Sequence, residues 1–152
     1  GDVYKRRLRE KVLSVAVMEM CTGGAVTNSI TDGPDSSSYF KGGNVASDGA
    51  ALRAFGVPAD VMETHGVVSQ QTADAMADTV RRNLSADLGV AVTGVPGPGE
   101  FEGKPLGLAY ISVTNGEITR EMEMRLPPRR VTIKRRVPNQ ALIELRRLVE
   151  EI

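Results

Sequence analysis

One cysteine and one histidine stand among 152 residues, and tryptophan is absent. A single Cys excludes an internal disulfide and suits a reducing compartment, so a cytoplasmic location is expected. One His without a Cys cluster gives no spacing for a transition-metal site, so neither a metal nor a cofactor is expected. Three Tyr and three Phe are too few for a stacking platform on single-stranded nucleic acid. Neither sign of charge is in excess, with 19 basic against 19 acidic residues. That balance disfavours a nucleic-acid partner and gives no pull toward a membrane surface. No apolar run approaches the roughly 20 residues of a membrane helix. No secretory apolar segment follows the basic start at Lys5, Arg6, Arg7, Arg9 and Lys11.

What is present is ordinary for one globular domain over 1–152: 41% apolar and 25% charged residues. Tyr4 to Lys11 reads as a charged amphipathic helix, and Val12 to Met18 as a buried strand. Gly24 to Thr31 reads as a helix, stopped by Asp32-Gly33-Pro34-Asp35. After Tyr39-Phe40 comes a flexible Gly42-Gly43, then a short strand at Asn44 to Ala46. Asp48 is a helix N-cap before Ala51, Leu52 and Phe55, with Gly56 as the stop. Ala59 to Thr64 is a short helical turn. Ser69 caps the longest helix, with Ala73, Met76, Ala77, Val80 and Leu84 at helical spacing. Leu88 to Thr93 suits a central parallel strand. Leu106 to Thr114 and Ile118 to Leu126 are strands joined at Asn115-Gly116, a strong hairpin signal. Val131 to Glu151 is a final helix disturbed by Pro138. The alternation predicts a three-layer α/β/α sandwich with a mixed, mostly parallel sheet.

Chemistry concentrates where strands end in glycine. The apolar run closes at Glu19-Met20-Cys21-Thr22-Gly23-Gly24, a strand breaking into a helix. Glycines there admit close backbone approach, and the helix offers its N-terminus to an anion. A second Gly/Pro loop, Thr93 to Gly99, follows the central strand, where α/β ligands collect.

These motifs resemble the C-terminal domain of the competence/damage-inducible protein CinA, a family that includes standalone nicotinamide mononucleotide deamidases (PncC). The resemblance rests on Glu19 to Gly24 against Glu-Ser-Cys-Thr-Gly-Gly and on Ser37 to Gly43. It continues through His65-Gly66-Val67-Val68-Ser69, Thr93 to Pro98 and Lys104-Pro105-Leu106-Gly107, and covers about Leu13 to Leu148. It implies an α/β/α fold and hydrolysis of the nicotinamide amide to nicotinate mononucleotide and ammonia. A Ser nucleophile, a Lys base and a nearby Tyr carry that chemistry in the family; a desolvated Lys works as base because it is neutral near pH 7. The resemblance also implies a homo-oligomer.

All three chemical positions are vacated. The Ser position is Met20, whose thioether has no proton to lose. The family's Tyr-Ser-Asn-Glu-Ala-Lys falls on Ala46-Ser47-Asp48-Gly49-Ala50-Ala51, with one residue deleted before it. The Tyr maps to Ala46 or the gap, and the Lys to Ala51, or to Leu52 if the gap lies later. No Lys occurs between Lys41 and Lys104, so no placement restores the base. Cys21 is the obvious substitute nucleophile, but neighbours on a strand face opposite ways, and a small buried thiol is the plainer reading; Thr22 has a hydroxyl but no evident base, and a cap or backbone bond at the helix start is its plainer reading. Arg53 restores charge near the lost Lys but cannot act as a base. Glu19 is read as a backbone-bonding residue of the turn, and His65 as a residue fixing a helix-start loop.

Ligand-binding candidates are Thr22, Gly23 and Gly24, with Gly94, Val95, Pro96 and Gly97 of the second loop. Arg130 and Lys134 join them from the basic cluster Arg125, Arg129, Arg130, Lys134, Arg135 and Arg136. Positions 130 and 134 share a helical face suited to a phosphate; the competing readings are a solvated face or ion pairs with Glu121, Glu123 and Glu144. The expectation is a catalytically degenerate amidohydrolase homologue that binds a nucleotide-like small molecule or serves as an assembly subunit. The alternatives are an active amidohydrolase using Cys21, and a structural interaction module whose pocket Met20 closes.

Overall fold

Residues 3–152 are described by a computed structural model. Its two most apolar segments form the centre of the sheet: β1 (Val15–Met20) and β3 (Leu88–Gly94) are buried at every residue, as strands covered on both faces must be. They pair in parallel. Outside β1 lies β2 (Phe40–Ala46), also parallel. Outside β3 lie β4 (Leu108–Thr114) and β5 (Thr119–Arg125), each antiparallel to its neighbour. The order is β2-β1-β3-β4-β5, so only β4 opposes the other four strands. Asn115 closes the hairpin: its Oδ1 accepts from the Glu117 and Ile118 N–H groups at 2.9 and 2.7 Å.

Strand alternation sorts the apolar residues into two cores. Val15, Val17, Val90 and Val92 point one way, onto α1 (Val3–Lys11), α2 (Ala25–Thr31) and α6 (Arg130–Glu151). Ala16, Met18, Met20 and Ala91 point the other way. There they meet α3 (Gly49–Ala54) and α5 (Gln70–Asn83), with α4 (Ala59–His65) packed against α5. The expected α/β/α layers follow from this division. Full burial of each Leu, Val or Met is worth about 1.5–3 kcal/mol.

Three details depart from the sequence reading, and one expectation, a final helix that continues through Pro138, is met. β1 starts at Val15, because Val12 is a positive-φ residue left 85% exposed. Gly42-Gly43 is strand, not a flexible link. Gly43 pairs with Val17, and a Cβ there would lie 2.0 Å from the Val17 carbonyl oxygen. The longest helix is α6, with 22 residues against 14 in α5. Pro138 lies inside α6 without ending it. The proline removes one N–H donor, but the buried face of Ile133, Val137, Ala141, Leu145 and Leu148 holds the helix across it.

β1 leads through α2 outward to β2, whereas β3 leads the opposite way to β4. The carboxyl ends of β1 and β3 therefore lie at the topological switch point of the sheet, the place where ligands of open α/β sheets bind.

Candidate functional site

The turn after β1 is built around Glu19, a fully buried carboxylate. Its Oε1 accepts from the Thr22 hydroxyl at 2.5 Å and from the Gly24 and Val26 N–H groups at 3.1 Å. Its Oε2 accepts from the Thr27 N–H at 2.9 Å and hydroxyl at 2.7 Å. An anion does sit at the start of α2, as the motif suggests, but it is the protein's own. The donors of Thr22 and Gly24 are committed to it, and Thr22 is 1% exposed. The carboxylate makes up for a helix whose N-cap, Gly24, has no side chain to offer.

Met20, Ala46 and Ala51, the positions that the resemblance sets against Ser, Tyr and Lys, lie in one apolar cluster. Met20 and Ala46 are paired on the β1/β2 ladder, and Ala51 packs into the same apolar cluster at the start of α3. Met18, Leu52, Met62, Val67 and Met76 complete it. Met20 is wholly buried, so its thioether occupies the end of β1 where the resemblance puts a hydroxyl. Asp48 caps α3, accepting from the Ala51 N–H at 2.9 Å, as its spacing predicts. Outside the cluster lies a shallow groove of about 380 Å³ lined by Gly49, Ala50, Met62 and Val67 together with the charged Arg53 and Glu63. Lys104, which ends the lysine-free stretch, is tied to the Val68 carbonyl and Glu102.

Cys21 follows Met20 but packs toward the opposite core. Its Sγ lies 2.6 Å from where a Cβ on Gly94 would stand, so Gly94 serves close packing between the two loops. Burial, then the nearby Glu19, pushes the Cys21 thiol up to about 12, against the pull of Lys134. A thiol held there is protonated at neutral pH and a poor nucleophile.

The exposed surface beside these two loops is cationic. Lys134 Nζ would lie 3.3 Å from a Cβ on Gly23, whose φ of 61° suits glycine. Arg130 donates from a terminal guanidinium nitrogen to the Pro96 carbonyl at 3.3 Å. A Cβ on Gly97 would lie 3.6 Å from the same nitrogen. Gly23, Pro96, Gly97, Arg130 and Lys134 therefore form one shelf across both loops. Val95 instead joins a small core with Val68 and Leu108. Arg129, Arg130, Lys134, Arg135 and Arg136 make no ion pair among the described residues, whereas Arg125 pairs with Glu123 at 2.9 Å. Glu144 is taken by Arg120 and Arg147.

Sequence reasoning passed over Glu102. Its two oxygens accept from the Val67 and Val68 N–H groups at 2.8 and 2.9 Å, pinning the loop before α5. Nothing in a lone exposed Glu between Phe101 and Gly103 signals such a long-range clasp. His65 does not fix that loop; it ends α4 in an exposed position. The Ser69 cap and the Glu102 clasp fix it instead.

The family model for the CinA C-terminal domain matches residues 2–149. The chain is 45% identical over 142 residues to a putative competence-damage inducible protein of Desulforamulus reducens, covering 93% of this chain and 34% of that protein. It is 38% identical over 143 residues to a CinA-like protein of a Mycobacterium species, covering 91% and 34% respectively. It thus spans about a third of the length of the curated relatives it matches. A CinA superfamily protein of Klebsiella pneumoniae superposes with a TM-score of 0.92 at 21% identity, covering 98% of this chain and 94% of that one, a likeness of fold. A competence/damage inducible protein of Agrobacterium tumefaciens gives 0.83 at 32% identity, with 95% and 96% covered.

Proposed function

The chain belongs to the CinA C-terminal domain family, and from that premise we propose that it binds a phosphate-bearing nucleotide without hydrolysing it. One observation carries the reading. The positions where the family resemblance calls for Ser, Tyr and Lys belong to a single apolar cluster at Met20, Ala46 and Ala51, while Arg130 and Lys134 at the start of α6 stay exposed. The cluster offers no proton to remove and no base to remove it, so the covalent route of a Ser–Lys amidohydrolase has no starting point. Arg130 and Lys134, one turn apart, are spaced to share a phosphate over the glycines of both loops. The ligand class is a nicotinamide or nicotinate mononucleotide. The reading includes a homo-oligomeric state and a role as a binding subunit.

The Cys21 route is disfavoured because its thiol is held near 12. The test is calorimetric titration with nicotinamide mononucleotide, nicotinate mononucleotide and inorganic phosphate. A charge-assisted contact is worth about 1.5–3 kcal/mol, so Arg130→Ala and Lys134→Ala should each weaken nucleotide binding roughly 10- to 100-fold. Unchanged affinity in both variants overturns the shelf as the binding site.

A further inference from the structure

Next to the cationic shelf lies an apolar pocket that the shelf itself does not use. Gly94 at the end of β3 pairs with Ala109, and Leu108 at the start of β4 pairs with Arg125 at the end of β5. The loop after β3, the start of β4 and the end of β5 therefore share one end of the sheet. A pocket of about 350 Å³ lies there, walled by Pro105, Leu106, Leu126 and Pro128. That is room for one small ligand.

Two glycines also line it, Gly99 and Gly107, for different reasons. Gly107 has a φ of 107°, and a Cβ on it would stand 2.1 Å from the Leu126 carbonyl oxygen, so the fold itself demands glycine. Gly99 is under no such demand. Its φ lies outside the left-handed range, and a Cβ on it would meet nothing within 4 Å. A glycine that neither packing nor backbone requires leaves this wall of the pocket open for close approach by a ligand.

The pocket adjoins the shelf. A Cβ on Gly97 would lie 3.1 Å from Leu106 Cδ1 and 3.6 Å from a terminal nitrogen of Arg130, so the Arg130 guanidinium stands beside the Leu106 wall. The rim carries two charged residues, Glu100 and Arg125. Arg125 is paired with Glu123, whereas the exposed Glu100 has no ion pair among the described residues.

We infer that this pocket receives the base of the nucleotide whose phosphate lies on Arg130 and Lys134, and that the base is a positively charged pyridinium ring. The inference rests on the phosphate reading of the shelf. The leucine and proline side chains cover the flat ring, and Glu100 supplies the opposite charge at the rim. Leu106 and Leu126 pack against the core on the α6 side of the sheet, whereas Met20 lies in the core on the α5 side. A base between the two leucines is thus held apart from the positions that the family resemblance assigns to catalysis, which accords with binding without hydrolysis.

Calorimetric titration with nicotinamide mononucleotide, ribose 5-phosphate and uridine monophosphate tests this on the parent and on Gly99→Phe, Leu126→Ala, Glu100→Gln and Arg130→Ala. Burying one ring on apolar side chains should favour nicotinamide mononucleotide over ribose 5-phosphate by roughly 10- to 100-fold in the parent. Gly99→Phe grows into open space, so it keeps the parent's Tm, lowers nicotinamide mononucleotide affinity to that of ribose 5-phosphate and leaves the sugar phosphate unaffected. Leu126→Ala gives a smaller loss of the same selective kind. Uridine monophosphate, whose base is neutral, binds more weakly than nicotinamide mononucleotide, and Glu100→Gln narrows that gap. Arg130→Ala weakens every ligand. Equal parent affinities for nicotinamide mononucleotide and ribose 5-phosphate, both reduced in Arg130→Ala, overturn the base pocket and leave the phosphate shelf standing. A nucleotide preference that survives both Gly99→Phe and Leu126→Ala also overturns the pocket. Tighter binding of uridine monophosphate overturns the pyridinium assignment. Selective losses in the pocket variants with no effect of Arg130→Ala overturn the shelf instead, and no binding heat with any ligand overturns both.

Discussion

Replacing Glu19 by Gln probes the turn that joins β1 to α2. The carboxylate collects five donors, three from backbone N–H groups at the start of α2 and two from the hydroxyls of Thr22 and Thr27. An amide keeps one oxygen for Thr22, Gly24 and Val26 but turns an NH₂ toward the Thr27 N–H, donor against donor. The Thr27 hydroxyl can rotate to accept; the backbone N–H cannot. One half-buried donor is left unpaired, at about 1–3 kcal/mol, and the surviving bonds lose their charge assistance, at several tenths each. The sum is about 3 kcal/mol, a large share of the roughly 5–15 kcal/mol that holds a domain together. For a chain of this size it lowers Tm by about 6–12 °C. Urea denaturation followed by circular dichroism measures the loss, with an unchanged slope expected because the exposed surface is the same. A loss under about 1 kcal/mol would refute the claim that Glu19 organises this turn.

Cys21 should resist maleimide at pH 8 in the folded protein and react readily once unfolded, since its thiol is pushed up to about 12 by burial and by Glu19; equal rates in both states would contradict this. Gly43→Ala should cost on the order of 3 kcal/mol, because its Cβ would stand 2.0 Å from the Val17 oxygen; thermal unfolding reads the loss. The Glu121 carboxyl is held up near 7, first by its hydrogen bond with Asp74, then by burial and the Asp74 charge. The folded state therefore binds this proton more tightly than the unfolded state. Its contribution is full below the ordinary carboxylate range and is lost as pH rises through about 7. Denaturation series should show that decline, and Glu121→Gln should flatten it.

Sequence pattern carried most of the architecture, for local reasons. The apolar runs of β1 and β3 can only be covered strands, and Asp48 and Ser69 announce the caps they form. The Asn115-Gly116 pair marks the hairpin between β4 and β5. What stayed hidden depended on contacts between distant segments. Gly42-Gly43 looks like a hinge until Val17 is laid against it, and only that approach explains the missing side chains. In the site, the departure of positions 20, 46 and 51 from the family resemblance is legible residue by residue; their sharing one apolar cluster required the β1/β2 register. Glu19 was recognised as a backbone-bonding residue, but that it already occupies the anion position of α2 needed the geometry. Glu102 carried no sequence signal, because the Val67 and Val68 N–H groups it binds lie 35 and 34 residues earlier in the chain.

Ammonia release from nicotinamide mononucleotide is the most direct test, run on the unmodified chain beside a Met20→Ser, Ala51→Lys variant. The account predicts no release by the parent under conditions where the nucleotide binds in calorimetry. Sustained release by the parent, proportional to protein concentration, would contradict it.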